Sequence, residues 1–335
     1  MIRRIVLVCL ALAVALPALG QTTLNGAGAT FPNPMYSKWF SEYHKIHPDV
    51  EINYQAIGSG GGIRQVLAGT VDFGATDGPM TDEQLAQAKV KILHIPTVLG
   101  AVVPAYNVPG VKEEVKFTPD VLADIFLGKI ANWNDPRIAK ANPEIKFPNQ
   151  DMVLAHRSDG SGTTYIFTDY LSKVSPDWQS QVGKGTSVRW PKGLGGKGNE
   201  GVTGMIRQIP GSIGYVELIY AVQNNIPYGT VQNAAGAFVK ASLESVTAAA
   251  ASVKTMPADF RVSITNAPGK DAYPISSFTW LLIPVKSKDP ARGRIIVDFL
   301  NWMLDEGQKM TAALTYAPLP DSVVSKVKIA IKQIQ

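Results

Sequence analysis

The sequence predicts an α/β protein divided into two lobes, and three observations carry that expectation. Helical and strand-like patterns alternate from residue 35 to residue 75. Two apolar, strand-like runs at 98–105 and 278–285 enclose a long insert that has helices and strands of its own. The chain has 335 residues, and a prior of about 150 residues per domain gives about two domains.

Met35, Tyr36, Trp39, Phe40 and Tyr43 recur at helical spacing. Pro48 follows the end of that helix. Val50, Ile52, Tyr54 and Ala56 alternate with polar residues, as a strand does. Residues 59–62, Ser-Gly-Gly-Gly, read as a sharp turn before a second helix that Gly69 ends. Residues 71–75 read as a short strand. The insert offers helices at 118–126, 163–171 and 201–208, and strands at 153–156, 187–190 and 212–216. The last long helix opens with Asp289 as cap and Pro290 in its first turn. Its core stripe is Ile295, Ile296, Phe299, Leu300, Met303 and Leu304, and Gly307 suits its end. One lobe is therefore expected from 21–103 with 273–335, and the other from 104–272.

The first twenty residues read as an export signal. Arg3 and Arg4 precede an apolar run from Ile5 to Leu16, Pro17 breaks it, and Ala18-Leu19-Gly20 is a small-x-small cleavage site. The alternative, an anchor helix, needs roughly 20 apolar residues. The single cysteine, Cys9, lies in this run, so the mature chain has no thiol for a disulfide, a metal or a nucleophile. Hydrophobic residues make up 45% and charged residues 18%, an ordinary globular balance that excludes disorder. The net charge of +5 falls by two without Arg3 and Arg4, too little for a nucleic-acid partner.

Most catalytic patterns are absent. There is no phosphate loop of the G-x-x-x-x-G-K-[ST] type and no G-x-S-x-G elbow. His44, His47, His94 and His156 complete no metal-ligand set, so no metal and no cofactor is expected. Residues 193–198 match G-x-G-x-x-G, but Pro191 interrupts the approach, and a glycine loop of structural use is the expectation.

What remains is three loops built for an anion. Residues 26–31, 57–62 and 157–164 each set glycines or small hydroxyl residues at an expected helix start. Free N–H groups and the helix dipole favour negative charge there. An ordinary helix cap is the competing reading of any one loop; three of them, with Asp77 close behind a strand, are harder to assign to capping alone.

These segments also carry a family resemblance. GAGATFPNPMYSKW, YQAIGSGGGIRQ, VDFGATDGPM, RSDGSGTTYIFTDYL, WPKGLGGKGNEGV, PGSIGYVE and YAPLPDSVV resemble, in order and over nearly the whole mature chain, the phosphate-binding proteins of the high-affinity bacterial phosphate ABC transporter. The stretch 228–270 is the least diagnostic. The resemblance implies a two-lobed periplasmic binding protein of type II with a hinge of two crossover segments, expected at 98–105 and 278–285. It implies a monomeric, non-enzymatic carrier in the periplasm that binds inorganic phosphate and hands it to an inner-membrane permease and its ATPase. Carried over by position, the implied phosphate ligands are Thr30, Phe31, Ser59 and Asp77 from one lobe and Arg157, Ser161, Gly162 and Thr163 from the other. Asp159 would hold Arg157. Ser158 departs mildly from the family pattern, which has Ala there.

The chemistry of that set is coherent by itself. Seven donors surround a tetrahedral anion, and one carboxylate, Asp77, faces it. Hydrogen phosphate carries a proton that Asp77 can accept; sulfate does not, and is rejected. Four alternatives stand beside this reading. Asp77 is an exposed turn residue before Gly78-Pro79. Asp72, nearer the strand, is the working carboxylate. The ligand is another oxyanion, such as sulfate or molybdate. Or the protein is a phosphoryl-transfer or hydrolytic enzyme using Ser59, Ser161 or Thr163, which needs a base within reach.

Overall fold

One strand organises the molecule. In the computed structural model, which describes residues 21–335, the apolar run at 98–105 is the middle of a strand of 16 residues. Nearly every residue of it is buried, because both faces are covered, and such strands read as unbroken apolar runs. The expected export signal lies outside the described residues.

The chain enters through β1 (Thr22–Gly28), α1 (Asn33–Ile46), β2 (Val50–Ala56), α2 (Ser59–Ala68), β3 (Phe73–Thr76), the short α3 (Asp82–Leu85) and the long β4 (Ile92–Asn107). It continues through β5 (Lys116–Phe117), α4 (Pro119–Phe126), α5 (Pro136–Ala141), β6 (Val153–Arg157), α6 (Gly162–Val174), α7 (Pro176–Gln181), β7 (Leu194–Gly196), α8 (Gly198–Gln208), β8 (Ser212–Glu217), α9 (Leu218–Gln223), β9 (Thr230–Gln232), β10 (Phe238–Val239) and α10 (Leu243–Ala250). It returns through β11 (Ser276–Pro284), α11 (Pro290–Asp305) and α12 (Asp321–Ile331).

Eight strands form one sheet in the order β2-β1-β3-β11-β4-β8-β6-β7, and β10-β9-β5 form a small second sheet. β1 pairs in parallel with β2 and β3, and β6 with β8 and β7. β4 and β11 run antiparallel to their neighbours and join these two parallel sets. Residues 92–101 of β4 pair with β11, and residues 102–107 pair with β8. The chain passes between the two sets a second time just before Ser276, where the Ile275 carbonyl accepts from the Val102 N–H at 2.9 Å. β11 itself pairs with β4 over Ser276–Pro284 and with β3 over Trp280–Leu282, so this passage precedes the expected run at 278–285.

Four expectations need correction. Residues 26–28 end strand β1 rather than opening a helix; the chain turns through Thr30 and Phe31 before α1 starts at Asn33. Residues 59–62 are the first turn of α2, because the reversal is made one residue earlier, at Gly58 with φ +85°. Residues 187–190 form no strand; the segment is irregular and its Trp190 ring stacks on His156 and Tyr215. Gly307 does not cap α11, which ends at Asp305; it lies under the Trp39 indole, whose Nε1 donates to its carbonyl at 2.8 Å.

The aromatic face of α1 packs as expected. Phe40 and Tyr43 meet Phe299 of α11 with ring centres 5.4 and 5.3 Å apart. On the other side, residues 259–265 strap the two strand sets together. Arg261 donates to the Met80 carbonyl and pairs with Asp82 at 2.8 Å. Ser263 and Thr265 each donate to Asp169 of α6 at 2.6 Å. Lys184 binds the other oxygen of Asp169 at 2.7 Å. Among the described residues no helix is long and apolar enough to cross a membrane.

Candidate functional site

All the loops singled out in the sequence lie at the carboxyl ends of parallel strands. Thr30 and Phe31 follow β1, Ser59 follows β2 as the first residue of α2, and Asp77 follows β3. Arg157 ends β6, and Ser161, Gly162 and Thr163 open α6. Ligands of open α/β sheets bind at such ends, where the strand order reverses.

The structure brings the eight residues together and buries them. Gly162 sits against Asp77 and Ser59 so closely that a β-carbon on it would collide with Asp77 Oδ2 and Ser59 Oγ. Asp77 N–H donates to Ser59 Oγ at 3.2 Å, and Thr279 Oγ1 donates to Asp77 Oδ1 at 2.7 Å. Ser161 Oγ caps α6 by accepting from Thr164 N–H at 3.0 Å. The N–H groups of Gly162 and Thr163 stand in the first turn of that helix, where no intrahelical carbonyl reaches them.

The second loop cluster is held by charge. Arg157 Nε donates to Asp159 Oδ1 at 2.8 Å and its Nη2 to Oδ2 at 2.5 Å. Its Nη1 donates to Thr163 Oγ1 at 3.2 Å. Asp159 also accepts from Gly198 N–H at 3.0 Å. His156 faces away and stacks on Trp190, as alternation along a strand requires.

Two direct contacts close the site from opposite sides. Gly60 N–H donates to the Gly160 carbonyl at 2.8 Å. Asn199 N–H and Nδ2 both donate to Thr30 Oγ1, at 3.2 and 2.8 Å, while Nδ2 also donates to Thr163 Oγ1 at 3.1 Å. Tyr220 donates to the Thr30 carbonyl and Tyr316 to the Phe31 carbonyl, each at 2.6 Å.

Burial raises the Asp77 carboxyl from its ordinary 3.8 to about 7, against the pull of Thr279, Arg157 and Ser59. Burial also pushes Asp159 up, but the Arg157 bonds and charge with the Gly198 N–H outweigh it and hold its pKa below the usual range. Glu217, fully buried at the end of β8, is pushed well above the carboxylate range by burial, and its Oε2 caps α9 at Ile219.

Asp72 stands elsewhere. It accepts from Asn25 N–H at 2.7 Å and pairs with Arg292 at 3.1 Å, away from the loops. Two buried contributors were not legible as such. Thr279 is one polar residue in an apolar run, which is a signal. Asn199 follows the glycines at 193–198, and only its place at a helix start marks it.

This is the architecture of a two-lobed binding protein, and residues 13–306 match the model of the PBP superfamily domain. The chain is 47% identical over 317 residues to the phosphate-binding protein PstS of Xylella fastidiosa strain Temecula1, covering 93% of this chain and 86% of that one. It is 46% identical over 315 residues to PstS of Haemophilus influenzae, covering 93% of each. A crystal structure of a phosphate-binding protein from Stenotrophomonas maltophilia shares the fold at a TM-score of 0.70 and 18% identity, over 92% of this chain and 93% of that one. The chain belongs to the PstS phosphate-binding protein family.

Proposed function

We propose that this chain binds inorganic phosphate among Thr30, Phe31, Ser59, Asp77, Arg157, Ser161, Gly162 and Thr163, with Asp159 orienting Arg157. It delivers the phosphate to the permease and ATPase of an ABC transporter, working in the periplasm as an exported monomer. Its lobes are 21–103 with 273–335 and 104–272; the change of β4's partner between Ala101 and Val102 supports that division.

One observation carries the reading. Asp77 is a buried carboxyl set among hydroxyls, helix-start N–H groups and Arg157. A carboxyl there is costly unless the ligand brings a proton for it. Monohydrogen phosphate does; sulfate does not. The relatives named as phosphate-binding proteins support the same ligand.

The protein acts as a carrier and does not turn its ligand over. Ser161 Oγ is engaged as a cap, and Ser59 Oγ accepts from Asp77 N–H. The histidine nearest in sequence, His156, bonds the Arg157 carbonyl and stacks on Trp190. Among the described residues, the one carboxylate that a candidate nucleophile reaches is Asp77, whose Oδ2 accepts from Ser59 Oγ at 3.5 Å, a contact too long for efficient proton abstraction.

Calorimetric titration of phosphate-stripped protein with phosphate and then sulfate tests the reading. At a pH above 7, where the Asp77 carboxyl is ionised and can only accept, tight binding of phosphate with no heat from sulfate is expected. Equal binding of both would remove Asp77 from its role, and no phosphate binding would overturn the proposal.

A further inference from the structure

Asn199 is fully buried, comes from the first turn of α8, and reaches across to both sets of candidate ligands. Its orientation is fixed by the backbone. The Glu217 N–H can only donate, and it donates to Asn199 Oδ1 at 3.0 Å. The amide nitrogen therefore faces Thr30 and Thr163, and its two hydrogens are both used there.

A hydroxyl oxygen accepts at most two hydrogen bonds and donates one. Thr30 Oγ1 already accepts two, from the N–H and the Nδ2 of Asn199. Thr163 Oγ1 also accepts two, from Arg157 Nη1 and Asn199 Nδ2. Neither oxygen has a lone pair left. Each hydroxyl can act on a further group only by donating its proton.

We infer that Asn199 is a positioning residue that makes the Thr30 and Thr163 hydroxyls obligate donors, so that a monoprotonated oxyanion can enter in only one sense. This rests on the phosphate reading above. Ligand oxygens at the two threonines must be unprotonated, because a P–OH group would meet a hydroxyl that cannot accept. The ligand's proton is then directed to Asp77, whose free oxygen stands against Gly162 and Ser59 and can accept it. Asp77 rewards the proton in one place, and Asn199 forbids it in two others. The same amide ties α8 to the turn before α1, so the donors become fixed as the cleft shuts.

The test is a double-mutant cycle on the full mature chain, read by titration with inorganic phosphate. Asn199→Ala is expected to weaken phosphate binding about 10- to 100-fold, the scale typical of residues that orient ligating groups. In a Thr30→Val background the same change should cost several-fold less, since one of the two hydroxyls it orients is gone. Equal costs in both backgrounds would overturn the inference. Asn199→Asp keeps the shape and the Glu217 bond but turns the donor into an acceptor. It should lose more affinity than Asn199→Ala, and an Asp variant within about threefold of wild type would overturn the inference even if the Ala variant unfolds. Wild-type protein that binds phosphate while both variants match it defeats the Asn199 role alone. Wild-type protein that ignores phosphate defeats both readings.

Discussion

Asp77 and Thr279 are joined by a 2.7 Å hydrogen bond, hydroxyl to carboxylate, between the end of β3 and the middle of β11. The bond fixes one carboxylate oxygen and leaves the other, Oδ2, against Gly162 and Ser59. Burial outweighs it and keeps the carboxyl protonated up to about pH 7. The folded protein thus holds a proton that the unfolded chain releases near 3.8. Stability is fully present below that lower value and is lost as pH rises towards 7.

Asp77→Asn should remove that pH dependence. Thermal unfolding without ligand should fall between about pH 4 and 7 in the wild type and run flatter in the variant. The same variant should bind sulfate measurably and phosphate less well, as calorimetry will read. A wild-type profile that is flat over this range would mean that water reaches Asp77 before ligand does.

Arg157→Lys should weaken phosphate binding by about one to two orders of magnitude, roughly 1.4–2.8 kcal/mol. Arg157 uses three nitrogens at once, two on Asp159 and one on Thr163. An ammonium cannot keep that fork. Unchanged affinity would take Arg157 out of the site.

Gly58→Ala should act on closure. Gly58 has φ +85°, and a β-carbon there would strike Asp159 Oδ2 and the Gly160 carbonyl. The backbone strain alone is of order 1–3 kcal/mol. Wild-type protein should contract on adding phosphate by small-angle scattering, since ligand groups come from both sides and favour the shut form. The variant should contract less and bind more weakly. Full contraction of the variant would show that the Gly58 loop does not gate the cleft.

Asp169→Asn should destabilise the protein by about 2–3 kcal/mol. Burial pushes this carboxyl up, yet the hydrogen bonds of Lys184, Ser263 and Thr265 and the charge of Lys173 bring it down to about 2. Its contribution is present above the ordinary carboxylate range and is lost as pH falls towards 2. Acid unfolding of the wild type should therefore be steeper than that of the variant.

Periodicity made α1, α2, α4, α6, α8, α11 and the two long apolar runs legible, because burial on one face or both writes itself into residue order; α3, α5, α7, α9, α10 and α12 were not read from the sequence. Strand β1 was not legible. Its Gly-Ala-Gly end looks like a loop, and only parallel neighbours on both sides make it a strand. The anion loops were legible as glycine and hydroxyl clusters at helix starts. The partners that orient them were not. Asn199 meets Thr30 across 169 positions, and Thr279 meets Asp77 across 202; no local pattern encodes such contacts.

The place of β11 in the sheet governs the order in which the molecule can assemble. β3 and β4 are separated by a strand made only near the end of the chain, at residues 276–284. Until that strand exists, the first three strands have no connection to β4 through the sheet. The set β8-β6-β7 with the far part of β4 has all its strands by residue 217 and can condense earlier. The N-terminal sequence therefore waits longest for its partners, and its pairing with β11 spans about 200 residues, a separation that slows folding. During that interval the β3 edge is unpaired, and its free N–H and C=O groups are open to pairing with another chain.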